Sequence, residues 1–446
     1  MMMKLLSKPC GICTMESHDE TECPLGHFFV SPFREIRMSF RPSTYCLTET
    51  MESFMALFAK SKTLESIEIR QTAVKDKGAI DIAEALKVNS SLTSLSLIKT
   101  FIRDDGAIAI ADALKINTFL ISLNLSINEI EKDGAIAIVE AMKINSSLAS
   151  LNIGGNNVGD VCAIAVADVL KMNSSLKSVT LSGSRISCNG VIAIADTLKV
   201  NSCLALLDLR GNQIGSIGAA AIAGALDVNS TLTTLHLGYN QIGREGAIRF
   251  SDALETNSRL TTLDLSCNGI GINGAIALAH ALTINSSMTK LDLAGNKIGN
   301  DGLIAFASVL KVNSTLLTLI FDYNIFGNDG LIAIAEALKV NVSFTTLSIY
   351  DCGIDFDGKA LIAKALQYNP TFCDLVIDFY RGSRPLFIAF KVDTESIFKG
   401  LLESLICEAG GKVLSSKFRM KFPVVVEKRE FRLFTTISRG QQYSGY

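Results

Sequence analysis

From residue 64 onward, apolar positions return at a fixed interval of 28 residues. The leading column reads Leu64, Leu92, Leu120, Leu148, Leu176, Leu204, Leu232, Leu260, Met288, Leu316, Phe344 and Phe372, with no residue inserted or deleted between its members. Each unit opens with the spacing L-x-x-L-x-L, as in Leu64, Ile67 and Ile69. Alternation over about five residues predicts a short strand with one face in a core. The second half of each unit predicts a helix. After Gly78, the residues Ala79, Ile82, Ala83 and Leu86 fall at i, i+3, i+4 and i+7, one face of a 3.6-residue period, and alanine favours helix while letting neighbouring helices approach. Eleven such units follow one another between Leu64 and Phe372, so the chain is a repeat solenoid.

Two polar columns punctuate the pattern. An asparagine closes every predicted helix, from Asn89 and Asn117 through to Asn341 and Asn369. Asparagine tolerates the left-handed conformation of a helix C-cap, and the column predicts that geometry. A second asparagine stands in the loop after the strand, at Asn128, Asn156, Asn212, Asn240, Asn268, Asn296 and Asn324. There a buried side-chain amide is expected to bond turn backbone that has no ladder partner.

Units such as Leu232-Thr-Thr-Leu-His-Leu-Gly-Tyr-Asn-Gln-Ile-Gly resemble the leucine-rich repeats of the ribonuclease inhibitor type, L-x-x-L-x-L-x-x-N-x-L followed by a helix. The resemblance implies an α/β leucine-rich repeat solenoid, a horseshoe with parallel strands on its concave face and helices on its convex face. Strands about 4.8 Å apart on one side and helices about 10 Å apart on the other require that curvature. The array also resembles the sensor part of NOD-like receptors, without a nucleotide-binding module before it. What the resemblance implies about function is protein binding. The inhibitor's own activity does not follow from the fold, and its cysteine abundance is missing here. Ran GTPase-activating protein is built of similar repeats, which makes GTPase activation an alternative. Its tail is acidic, whereas the tail of this chain is basic.

Charge changes the picture at the C-terminus. The 446-residue chain carries a net charge of −2, but residues 380–446 hold twelve Lys or Arg against six Asp or Glu, leaving −8 for the remainder. A mildly acidic solenoid favours a basic protein partner, and the basic tail an anionic one. The chain is 48% apolar, yet no stretch approaches the ~18 apolar residues of a membrane span, and Met1 to Lys8 lacks the apolar core of a signal peptide. We therefore expect a cytoplasmic protein, with the nucleus as the alternative. The eleven cysteines show no disulfide framework and are expected to be reduced, and the Asn-Ser-Ser triplets are expected to stay unglycosylated.

Outside the repeats, Cys10, Cys13, His18 and Cys23 sit at C-x2-C-x4-H-x4-C and resemble a retroviral-type zinc knuckle. Three thiolates and one imidazole make a closed tetrahedral site, so one structural zinc ion is the expected cofactor. His27 is a spare ligand. The alternatives are a leader with incidental cysteines or a redox Cys-x-x-Cys. Glu16, Asp19, Glu20 and Glu22 stand where RNA-binding knuckles carry cations and an aromatic, which argues against nucleic acid. A nucleic-acid-associated scaffold using the knuckle and basic tail is accordingly the second alternative. Ile36, Met38 and Phe40 alternate as a strand, and Thr48 to Lys60 predicts a helix bearing Met51, Phe54, Met55 and Phe58. The expected organisation is a knuckle-like leader at 1–30, an N-terminal cap at 31–63, the solenoid at 64–379, and a C-terminal cap with a basic tail at 380–446. Within the last, Leu386 to Val392 predicts a strand and Glu395 to Cys407 a helix. The run from Leu401 through Gly410-Gly411 looks like part of a BRCT module, the alternative to a plain cap.

Catalytic chemistry is not evident. Gly411-Lys412 lacks the remainder of a phosphate-binding loop, and His236 and His280 have no Ser or Cys in triad arrangement, so no enzyme is expected. The residues between the buried leucines of each strand, and the two that follow, face the concave surface. Early units offer small polar residues there, such as Ser94, Ser122, Asn124 and Asn152. Later ones offer Asp208, Arg210, His236, Tyr239, Asp264, Asp292, Asp322, Tyr323, Tyr350, Asp351, Asp378 and Phe379. Aromatic and charged anchors of this kind mark interface hot spots, which places the expected docking site in the C-terminal half.

Overall fold

The structure, a computed structural model, describes residues 12–16, 34–39, 58–366, 368–369, 374–381 and 384–391. Among them, fifteen strands form one sheet in strict chain order, each pairing with its sequence neighbours. Pairing is parallel throughout except for the last strand, Arg384–Lys391, which returns antiparallel to Asp374–Arg381. From Ser66 pairing with Ser94 to Thr346 pairing with Asp374, the register advances 28 residues per strand. The hydrophobic columns of the sequence are therefore spatial columns. Leu95, Leu123, Leu151 and Val179 stack in successive strands and are fully or almost fully buried.

Between strands the chain returns through helices such as Lys75–Val88, Gly243–Thr256 and Gly271–Ile284. Each turns the same face inward: in Lys75–Val88 the buried residues are Gly78, Ala79, Ile82, Ala83, Ala85 and Leu86. This is the predicted amphipathic face, and it meets the leucines of the strands in one continuous core. The chain is an α/β solenoid with strands on one face and helices on the other. On the outer helix surface, lysines pair three residues back with acids, as Lys115 does with Asp112 and Lys171 with Asp168. No helix among the described residues is long and apolar enough to cross a membrane.

Two features depart from the expectation. The strands Ile12–Glu16, Glu35–Ser39, Ser66–Arg70 and Ser94–Ile98 hold five residues, but from Ser122–Asn124 onward most hold three. The inter-strand bonds nevertheless continue into the loop, with the N–H groups of Leu125 and Ile127 donating to the carbonyls of Asn152 and Gly154. The helix-ending asparagines are not left-handed: Asn257 is extended at φ −73° and ψ 120°. Its side chain explains its recurrence instead. Nδ2 donates to the carbonyls of Leu226 and Asn229 in the preceding unit, at 2.7 and 3.1 Å, while Oδ1 accepts from the N–H groups of Arg259 and Leu260. One amide thus closes a helix, starts the next strand and binds two units together.

At the ends, Glu35–Ser39 matches the predicted strand and joins the sheet beside Ser66–Arg70, with Ile12–Glu16 outside it. Phe58 is buried at the start of the core. The C-terminal strand predicted at Leu386 to Val392 corresponds to Arg384–Lys391. Of the helix predicted from Thr48 to Lys60, residues 58–60 are helical and the rest lies outside the described residues, as does the helix predicted at 395–407.

Candidate partner-binding surface

Because the strands are parallel and in register, residues 28 apart line up across the exposed face of the sheet. One line runs Asn124, Asn152, Thr180, Asp208, His236, Asp264 and Asp292. Five of its members share a local task that the sequence reading missed. The Oδ1 atoms of Asn124, Asn152, Asp208, Asp264 and Asp292 each accept the N–H two residues on, at 2.9–3.0 Å. These are side-chain-closed turns at the strand end, which asparagine serves as well as aspartate. The signal was present in Asn124 and Asn152 occupying the same column.

This role corrects the reading of two acids. Asp208 is only 3% exposed, and Arg210 clamps it, with Nη2 donating to Oδ2 at 2.6 Å and Nε to Oδ1 at 3.0 Å. The bond raises the guanidinium above its ordinary range. The pair neutralises itself and presents chiefly the outer side of Arg210. Asp264 is also buried, its carboxylate turned to the Ser266 N–H. His236 Nδ1 stands 3.9 Å from Asp264 Oδ2, too far for a hydrogen bond, and has no partner although the atom is buried. Burial lowers its basicity first, so the imidazole is neutral at neutral pH.

Farther along, the carboxylates become less compensated. Asp292 is pushed up to about 6, by burial first and then by the neighbouring charges of Asp264 and Asp322, against the Ala294 N–H and Lys290. Asp322 accepts from Ser348 Oγ at 2.6 Å and from the Tyr350 N–H at 2.8 Å, yet burial still raises it. Tyr350 is itself largely buried, which corrects its reading as an exposed anchor. Its ring supports Tyr323 edge-on, with centroids 5.5 Å apart at 81°.

A second line runs through residues 71, 99, 127, 155, 183, 211, 239, 267, 295, 323 and 351, and every member has positive φ. Four are glycine, at Gly155, Gly183, Gly211 and Gly295, which suits the left-handed turn. Tyr239 and Tyr323 take the same conformation at φ 60° and 57°, a strained choice for a bulky residue, and are 64% and 57% exposed. Tyr239 is pushed up to about 12, first by a hydrogen bond to Cys267 in the next unit. Cys267 lies over Gly295, where a Cβ would stand 2.7 Å from its sulfur. Tyr239, Cys267 and Tyr323 thus make a ridge along the surface, with Asp351 exposed at its end.

Asp378 and Phe379 lie on the strand Asp374–Arg381 and pair with Phe387 and Leu386 of the antiparallel strand. Cys13 falls on Ile12–Glu16. Cys10, His18 and Cys23 lie outside the described residues.

A model of the leucine-rich repeat family matches seven segments, residues 117–139, 145–167, 200–223, 228–251, 256–279, 285–307 and 312–335. No curated protein matches the sequence. Among similar solved structures, the actin-binding site 2 of leiomodin-1 is 22% identical, covering 34% of this chain and 87% of its own at a TM-score of 0.30. The complex of Rad7 and Elc1 in yeast provides a chain 15% identical over 73% of this chain and 78% of the other, at a TM-score of 0.48. Seven matched segments lying on units that the sheet stacks in register identify these segments as leucine-rich repeats.

Proposed function

We propose that the chain is a non-catalytic platform that holds a basic protein against the C-terminal half of its concave face. The observation that carries this reading is the pair Tyr239 and Tyr323: two large exposed aromatics held in left-handed turns where four other units place glycine. A solvated turn has no need of a strained tyrosine, whereas an interface gains area from a rigid aromatic at small entropic cost. The adjoining carboxylates Asp292 and Asp322 are partly desolvated already, so a lysine or arginine set against them meets acids whose hydration is reduced. The first units place serines and asparagines on the strands and, in the left-handed column, Gln71, Lys99 and Ile127 but no aromatic. Affinity purification with the full chain, alongside Tyr323→Ala combined with Asp322→Ala, tests the proposal. Loss of specific protein partners with the double substitution supports it, and an unchanged partner set removes the surface from consideration.

A further inference from the structure

The acid-and-tyrosine surface has an occupant of matching chemistry within the same chain. Lys417-Phe418-Arg419-Met420-Lys421-Phe422 alternates basic and apolar residues with a period of two. An extended segment with that pattern puts Lys417, Arg419 and Lys421 on one side and Phe418, Met420 and Phe422 on the other. Its three cations then span about 13 Å. Asp264, Asp292, Asp322 and Asp351 lie on four successive units, but Asp322 and Asp351 fall two and three positions beyond Ile320 and Ser348, the register partners of Asp292, so the acids run obliquely across the sheet; with Asp264 largely buried, Asp292, Asp322 and Asp351 face the three cations. Beside them runs the ridge of Tyr239, Cys267 and Tyr323, which would take apolar and cation–π contacts.

Reach is sufficient. The last described strand ends at Lys391 and pairs with Asp374–Arg381, so it stands two strands from Thr346–Ile349 and five from Thr262–Asp264. That distance is roughly 10–24 Å across the sheet. Twenty-five residues lie between Lys391 and Lys417, enough to cover about 85 Å when extended. Tethering of this length supplies an effective concentration near the millimolar range, so even a weak site fills.

We propose that the basic segment Lys417–Phe422 occupies the Asp264–Asp351 surface in cis, so that a partner must displace it. The proposal rests on the docking surface named above but not on any partner's identity. It makes the solenoid self-masked, with masking weakened by salt or by modification of the tail.

Cys267 lies on the unit of Asp264, at one end of the surface between Tyr239 and Tyr323, and reports its occupancy, while Cys188, at the start of a helix, serves as an internal reference. The full chain is labelled with iodoacetamide at about 20 mM and about 0.5 M salt, conditions that respectively preserve and screen surface charge. Mass spectrometry gives the Cys267 rate relative to Cys188. Cis occupancy predicts Cys267 labelling at least about threefold slower at low salt, with the protection abolished in Lys417→Gln/Arg419→Gln/Lys421→Gln. Equal rates at both salts, or protection that survives the triple substitution, overturn the proposal. Protection that grows with protein concentration also overturns it, because the occupant is then a second copy. Partner recovery with the Asp322 and Tyr323 substitutions reads the trans interaction separately, so either idea can fail alone.

Discussion

The backbone N–H of Asn268 donates to Oδ1 of Asn296, one unit later, at 2.9 Å. The same Asn296 side chain accepts from the Ile270 N–H and donates through Nδ2 to the carbonyls of Leu265, Leu293 and Ala294. Asn296 is fully buried, so every one of these backbone groups depends on it rather than on water. Asn296→Ala leaves several buried polar groups unsatisfied and is expected to cost about 2–4 kcal/mol. Denaturant unfolding gives the magnitude. Hydrogen exchange should show the loss concentrated in the units around residues 265–298, because a solenoid couples mainly its neighbours. A uniform change along the chain would contradict the ladder's local role.

Helix spacing depends on a column of small residues. A Cβ at Gly274 would stand 2.5 Å from Ile270 Cγ2 and 3.0 Å from Ala247 Cβ in the preceding helix. Gly274→Ala would ordinarily favour a helix by up to ~1 kcal/mol. Here the side chain has no room, and the substitution is expected to destabilise by about 1–3 kcal/mol through overpacking. A rise in melting temperature would show that the two helices can separate without loss.

Much of this was legible in the sequence, because a repeat turns each spatial column into a countable one. The buried leucines, the inward helix face and the two asparagine columns could all be read from the 28-residue period. What the asparagines do was less legible. A C-cap role suggested left-handed backbone, but Asn257 is extended because its partners lie in the preceding unit, a relation that only stacking reveals. The site was half legible for the same reason. Asp264 and Asp292 read as a charged binding face, yet they share their turn-closing bond with Asn124 and Asn152. The left-handed column was missed although Gly155, Gly183, Gly211 and Gly295 marked it. Comparing those glycines with Tyr239 and Tyr323 in the same register would have shown where two units give up an easy conformation for an aromatic.

Asp292 should make stability fall as pH rises through its range. Its carboxyl is pushed up from 3.8 to about 6 in the folded chain, so the folded state holds the proton more tightly than the unfolded one. The associated stability is present below the unfolded value near 3.8 and is lost as pH climbs to about 6, by roughly 2–3 kcal/mol. Asp292→Asn retains an oxygen for the Ala294 N–H, as Asn152 does for Gly154. The substituted chain is expected to be more stable than wild type at pH 7–8, by about 1–2 kcal/mol, and to lose that part of the pH dependence. Urea midpoints measured from about pH 4 to 8 decide the matter. If Asp292→Asn instead destabilises the chain at neutral pH, the charge is compensated by a cation after all.

The two ridge tyrosines allow stability and binding to be separated. Tyr239 stands at φ 60° in a column that elsewhere accepts glycine. Tyr239→Gly relieves about 1–2 kcal/mol of left-handed strain, while it adds unfolded-state freedom of about 0.5–1 kcal/mol and removes the hydrogen bond to Cys267. The terms oppose one another, and the net change in stability is expected to stay within about 1 kcal/mol. Gly211→Ala, which imposes a Cβ at φ 66° in the same column, should by contrast destabilise by about 1 kcal/mol or more. Thermal unfolding of the two variants tests the conformational argument, and affinity purification with Tyr239→Gly tests the functional one. A variant that folds as well as wild type but recovers no partner would locate the need for tyrosine in recognition. Unfolding on Tyr239→Gly would place it in the fold, and the exposed ring would then have to be explained by packing.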